Sequence, residues 1–139
     1  MDFRKAVLVT GGAQGIGKAI VMACLEQGWG AAALDVDGEA LAALAEETGA
    51  GKALLTVEAA NHDEAAVAGA VAAAATRFGC LSGLVNNAGF SRNRPLEELT
   101  LEDWNAVIAT NLTGAFLCAK HAAPHLRKAK GAIVNLAST

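Results

Sequence analysis

Short, nearly unbroken apolar runs alternate along the chain with longer stretches in which apolar positions recur every three or four residues. Ala6 to Thr10 (AVLVT) is apolar up to its last residue and runs into a glycine loop, the pattern of a strand buried on both faces. Gly15 to Gln27 then carries Ile16, Ile20, Val21, Cys24 and Leu25 at helical spacing, and Gly28 closes that helix. Gly30 to Leu34 (GAAAL) predicts a second buried strand, whose acidic turn Asp35-Val36-Asp37 also caps a helix over roughly 38–48. Lys52 to Val57 (KALLTV) predicts a third strand, followed by an Ala-rich helix from about Asp63 to Phe78 that stops at Gly79. The Ala run at 72–75 fits a close-packed helix face of strong intrinsic propensity.

Leu84 to Asn87 (LVNN) predicts a fourth strand. Thr100-Leu101-Glu102-Asp103 matches a capping box opening a long helix through Trp104, Val107, Ile108, Leu112, Phe116 and Leu117, which Pro124 bends or ends. Ala132 to Leu136 (AIVNL) predicts a fifth strand. Strands alternating with helices at this spacing require right-handed crossovers, so the expected fold is α/β: a doubly wound parallel sheet of Rossmann type. No linker, repeat or charge block interrupts the alternation, so residues 1–139 read as a single domain.

Composition changes this picture in one respect. Hydrophobic residues make up 53% of the 139, charged residues 18%, and mean hydropathy is +0.34. That is more apolar than a domain of this length needs. Either the strands are buried on both faces or some apolar surface is covered by something absent from this chain. The net charge of −3, with Lys and Arg scattered, offers no basic stripe for nucleic acid. Cys24, Cys80 and Cys118 are odd in number and widely spaced, which suits reduced thiols in a cytoplasmic protein rather than disulfides or zinc. No stretch reads as a signal peptide or membrane span.

The glycine loop TGGAQGIGKA, residues 10–19, can be parsed two ways. From Gly12 it is G-x-x-x-x-G-K, a nucleoside-triphosphate loop, but Ala19 stands where a magnesium-binding Ser or Thr belongs. From Thr10 it is T-G-x-x-x-G-x-G, a dinucleotide-type turn whose spacing departs from the strict G-x-G-x-x-G. Asp35 favours the second. It lies about 20 residues past the turn at the end of the second strand, where a carboxylate can accept hydrogen bonds from both hydroxyls of an adenosine ribose. The same carboxylate would repel a 2′-phosphate, and no Arg or Lys occupies positions 11–17, so NAD is expected over NADP. Strand-end residues Thr10-Gly11, Asp35, Asn86-Asn87-Ala88-Gly89 and Ser138 also fall on one rim of the predicted sheet, where such folds bind ligands.

Taken together these residues resemble the short-chain dehydrogenase/reductase family over essentially the whole chain. The matching elements, in order, are T-G-x-x-x-G-I-G at Thr10 to Gly17, N-N-A-G at Asn86 to Gly89, N-x-x-G-x-F at Asn111 to Phe116 and I-V-N-L-A-S at Ile133 to Ser138. The resemblance implies strand order 3-2-1-4-5-6-7, of which five strands (3-2-1-4-5) are present, a homodimer or homotetramer, and reversible hydride transfer between NAD and a secondary alcohol or ketone. It places Gly11, Gln14, Gly15, Ile16 and Gly17 at the pyrophosphate, Asp35 at the adenosine ribose, and Asn87, Ala88 and Gly89 beside the cofactor, while Asn86 ties the central strands together. Ser138 aligns with the serine that polarises the substrate carbonyl, and Asn111 with the asparagine that holds a water in the proton relay.

Two departures qualify that expectation. Where the family usually has an adenine-binding aspartate this chain has Ala60, followed by Asn61, so adenine would rest on backbone groups or on Asn61. The family's Tyr-x-x-x-Lys segment would follow Ser138 by about a dozen residues, and this chain contains no tyrosine. It therefore reads as the cofactor-binding portion of a longer oxidoreductase, truncated before strands 6 and 7 and inactive alone. A non-catalytic dinucleotide-binding or assembly module, and a P-loop phosphotransferase, are the competing readings. His121 and His125 stand four apart, but with Pro124 between them and no third ligand they do not read as a metal site. Trp29 and Trp104 read as packing residues.

Overall fold

A computed structural model of the chain describes residues 2–138. Its five parallel strands are β1 (Ala6–Thr10), β2 (Gly30–Asp35), β3 (Leu54–Glu58), β4 (Gly83–Asn86) and β5 (Ala132–Asn135), arranged β3-β2-β1-β4-β5. The helices are α1 (Gly15–Glu26), α2 (Gly38–Thr48), α3 (Glu64–Phe78), α4 (Leu101–Ile108) and α5 (Gly114–Ala129). This is the doubly wound sheet the apolar pattern predicts. Chain direction across the sheet reverses between β1 and β4, which opens a crevice outside their carboxyl ends.

The unbroken apolar runs follow from burial on both faces. On β1, Ala6 and Leu8 pack with Val67, Val71, Phe78 and Leu117 from α3 and α5, whereas Val7 and Val9 pack with Val21, Leu41 and Leu44 from α1 and α2. Small residues set the spacing of the layers. A Cβ at Gly30 would overlap the Phe78 ring, which itself meets Phe3 edge-on at 5.4 Å between centroids.

Several boundaries differ from those the sequence predicts. β3 begins at Leu54, because Gly51–Ala53 forms a short 3₁₀ turn first, and β4 and β5 each end one residue early, at Asn86 and Asn135. The single long helix expected after Thr100 is split by a π turn at Ala109–Thr113. Pro124 does not end α5, which continues to Ala129. The missing backbone donor costs a hydrogen bond there, but Leu117 and Cys118 before it and Leu126 after it are buried, so packing holds both halves.

Part of the surplus of apolar residues is exposed around the last strand and the helices beside it. β5 is exposed along its whole length, and Trp104, Leu112, Phe116 and Val134 are each more than half exposed. No helix is long and apolar enough to cross a membrane among the described residues.

All three cysteines are free. Cys118 is fully buried, and burial pushes its thiol up to about 11; burial also raises Cys24 and Cys80, which are less enclosed. Because only the thiolate is alkylated, Cys118 is expected to be labelled last when the native protein is treated with iodoacetamide at pH 8 and followed by mass spectrometry. Labelling of Cys118 as fast as Cys80 would contradict this packing.

Candidate functional site

The strand-end residues meet at the crevice through one hydroxyl. Thr10 is fully buried, and its Oγ1 accepts hydrogen bonds from the backbone amides of Asn87 and Ala88, both at 3.0 Å. Asn87 returns the contact: its Nδ2 donates to the carbonyls of Thr10 at 3.0 Å and Gly11 at 3.2 Å. The ends of β1 and β4 are thereby locked together. The sequence places Thr10 at the strand-end rim but not in this bonding role, whose signal is a polar residue ending an otherwise apolar buried strand.

Glycine lets the loop turn tightly onto α1. A Cβ at Gly17 would run into the Gly11 carbonyl and the Asn87 amide, so α1 can pass this close only with glycine there. Gly17 therefore sits behind the loop rather than in the groove. Gly15 is the opposite case. Its φ is +56°, and a Cβ there would meet nothing within 4 Å, because that side faces open space.

The start of α1 is built differently from those of the next three helices. Side chains cap α2, α3 and α4, with Asp37, Asp63 and Thr100 accepting from Ala40, Ala66 and Asp103 amides respectively. Gln14, at the same position of α1, gives no side-chain cap. The first helical bond runs from the Lys18 amide to the Gln14 carbonyl, so the amides of Gly15, Ile16 and Gly17 have no acceptor among the described residues. Lys18 itself points away, paired with Glu47 at 2.6 Å.

Asp35 closes the other side of the same groove. Its Oδ2 accepts from the Ala13 amide at 3.1 Å and its Oδ1 from the Asp37 amide at 3.0 Å. Each oxygen keeps capacity to accept a further hydrogen bond. Gly11, Gln14, Gly15 and Ile16 from the loop, Asp35 and Val36 from the second strand end, and Ala60 and Asn61 after β3 line one cavity of about 700 Å³. Asn87, Ala88 and Gly89 form its inner wall. Apart from Gly17, every expected cofactor residue is in it.

Asn61 is not simply aimed into that cavity. It is 5% exposed, its Nδ2 donates to the Thr110 carbonyl of the π turn at 2.9 Å, and it packs where a Cβ at Gly114 would lie. A second groove of about 1160 Å³ continues past Ile16 and Asn87 to Asn111 and Ser138. The Asn111 amide is also committed: it accepts from the Phe90 N–H at 3.0 Å and donates to the Phe90 carbonyl at 2.9 Å. Phe90 lies in the loop after β4. Farther along that loop, Arg92 and Arg94 pair with Asp103, whose carboxyl is held below its usual range first by the Thr100 backbone amide and then by these cations. Asn86 reaches across to Asn135 at 2.8 Å, tying β4 to β5, and its own Oδ1 is buried without a partner.

A doubly wound sheet with a glycine loop, an uncapped helix end and a strand-end carboxylate at its switch point defines an α/β protein of the Rossmann type. The short chain dehydrogenase family profile matches residues 5–139, and the chain belongs to that family of oxidoreductases. It is 42% identical to a D-threitol dehydrogenase of Mycolicibacterium smegmatis over 99% of this chain and 55% of that protein. Identity to the 3-oxoacyl-[acyl-carrier-protein] reductase FabG of Staphylococcus aureus is 37%, over 99% of this chain and 57% of the relative. Among solved structures, a short-chain dehydrogenase/reductase from Brucella melitensis, described as a glucose/ribitol dehydrogenase, superimposes with a TM-score of 0.92 at 33% identity, covering 99% of this chain and 59% of the other. The chain thus spans a little over half the length of these relatives.

Proposed function

We propose that the chain is the dinucleotide-binding part of an NAD-dependent oxidoreductase that interconverts a secondary alcohol and a ketone. The observation that carries the reading is the uncapped start of α1: among the described residues its first amides have no acceptor, and Gly15 and Ile16 line a cavity beside open space at Gly15. Amide donors and the helix dipole there favour a pyrophosphate. Asp35, oriented by two backbone amides, has acceptor capacity left for two ribose hydroxyls. With Asn61 Nδ2 already bonded to Thr110, adenine is left to the backbone of Ala60 and Asn61 and to apolar contact with Ala60 and Val36.

The bound nicotinamide supplies the hydride acceptor. The carbinol carbon would give a hydride to the nicotinamide and the hydroxyl a proton to solvent water, so the alcohol would leave as a ketone. Ser138 and Asn111 line the second groove; in this reading the Ser138 hydroxyl orients the substrate oxygen and the π turn holding Asn111 shapes the approach. The chain's similarity to a D-threitol dehydrogenase and to a 3-oxoacyl-[acyl-carrier-protein] reductase supports an alcohol–ketone pair as substrate.

Titration of the chain with NADH, followed by thermal shift and nucleotide fluorescence, tests the cofactor reading. Binding unaffected by a metal chelator is expected, and magnesium-dependent ATP binding in its place would sink it. Asp35→Ala is expected to weaken NADH binding about tenfold or more, since a hydrogen bond to a charged acceptor is worth roughly 1.5–3 kcal/mol. It should also relax discrimination against NADPH. Unchanged affinity for both nucleotides would remove Asp35 from the ribose site.

A further inference from the structure

The β1–α1 and β2–α2 loops are laced together at three successive points. The Gly12 amide donates to the Leu34 carbonyl at 3.3 Å, the Ala13 amide to Asp35 Oδ2 at 3.1 Å, and Gln14 Nε2 to Asp37 Oδ2 at 3.0 Å. Only the third joins two side chains, and it lies at the exposed outer rim. Gln14 lines the same cavity as Gly15, Asp35 and Val36, so this bond runs beside the carboxylate assigned to the adenosine ribose.

Asp37 is fixed from several directions. Its second oxygen caps α2 through the Ala40 amide at 3.0 Å, and its own amide donates to Asp35 Oδ1. No cation answers its charge. Lys18 is paired with Glu47, and neither Lys nor Arg lines the cavity among the described residues. Glu58, in register with Asp35, lays its carboxylate where a Cβ at Gly38 would go and adds charge of the same sign.

Resting on the NAD reading above, we propose that Asp37 is a second specificity-determining residue for the nucleotide. Gln14 holds its carboxylate at the rim, where it opposes a phosphate on the 2′-oxygen of the adenosine ribose. Part of the preference for NAD over NADP then survives the loss of Asp35. A phosphate carries about two negative charges, and opposition of this kind acts over roughly a Debye length, about 8 Å at physiological salt.

Asp37→Asn separates this role from helix capping. Asparagine caps as well as aspartate, and its amide can still bond Gln14 with the Gln14 amide reversed, so only the charge is lost. Nucleotide affinities of the 139-residue chain and its variants are measured by calorimetric titration with NADH and NADPH. Asp37→Asn is expected to leave the melting temperature and the NADH affinity within about twofold of wild type. It should lower the ratio of NADPH to NADH dissociation constants about three- to tenfold, and that change should shrink in 0.5 M salt. Added to Asp35→Ala, it should improve NADPH binding further. An unchanged ratio, or a change indifferent to salt, overturns the proposal while leaving the cofactor reading intact. Wild-type chain that binds neither nucleotide overturns the cofactor reading, and this proposal with it.

Discussion

Gly15→Asp is expected to abolish NADH binding while leaving the melting temperature within about 4 °C of wild type, a shift worth roughly 1 kcal/mol or less in a domain of this size. The two effects separate because the new Cβ meets no protein atom within 4 Å. The positive φ of +56° costs about 1 kcal/mol for a residue with a side chain, less for Asp than for most. A carboxylate beside three free amides at a helix start returns several tenths of a kcal/mol. The same carboxylate fills the space assigned to the pyrophosphate and places like charges in contact. A loss of about a hundredfold or more, near 2.8 kcal/mol, should be seen by fluorescence titration. Normal binding with an intact fold would mean that the phosphates lie elsewhere.

Thr10→Val should have the largest effect on stability. The two side chains have nearly the same shape, so no cavity opens, but the amides of Asn87 and Ala88 lose their common acceptor. Each unsatisfied amide costs about 1–3 kcal/mol, and their position at the edge of the cavity, where water can reach them, favours a total of about 2–4 kcal/mol. That is a large share of the roughly 5–15 kcal/mol that stabilises an ordinary domain. Urea unfolding should show a lower midpoint with an unchanged slope, and Thr10→Ser should restore most of the loss. A Thr10→Val protein as stable as wild type would show that the hydroxyl does not join β1 to β4.

The doubly wound sheet and the gathering of Gly11, Asp35 and Asn87 at one rim were legible because they depend on local signals: apolar runs, glycine punctuation and a carboxylate at a strand end. The strand order came instead from the family resemblance. The bonds that complete the site were not legible. Asn61 reaches Thr110, Asn111 reaches Phe90 and Thr10 reaches Ala88 across 49, 21 and 78 residues of chain, and no local pattern encodes such pairings. Asp37 was legible as a cap for α2, but its second oxygen and its bond to Gln14 depend on how two loops meet. Pro124 misled for a related reason: the cost of proline in a helix is local, whereas the packing of Leu117, Cys118 and Leu126 that outweighs it is not.

The π turn at Ala109–Thr113 fits one residue more into a turn than an ordinary helix holds. If Asn111 were deleted, the rest could close into a regular turn with α4 and α5 keeping their orientations, at the cost of the bridge to Phe90 and a shift of the Thr110 carbonyl that Asn61 holds. The mouth of the second groove could then be remodelled by the loss of a single codon, with the layers beneath undisturbed.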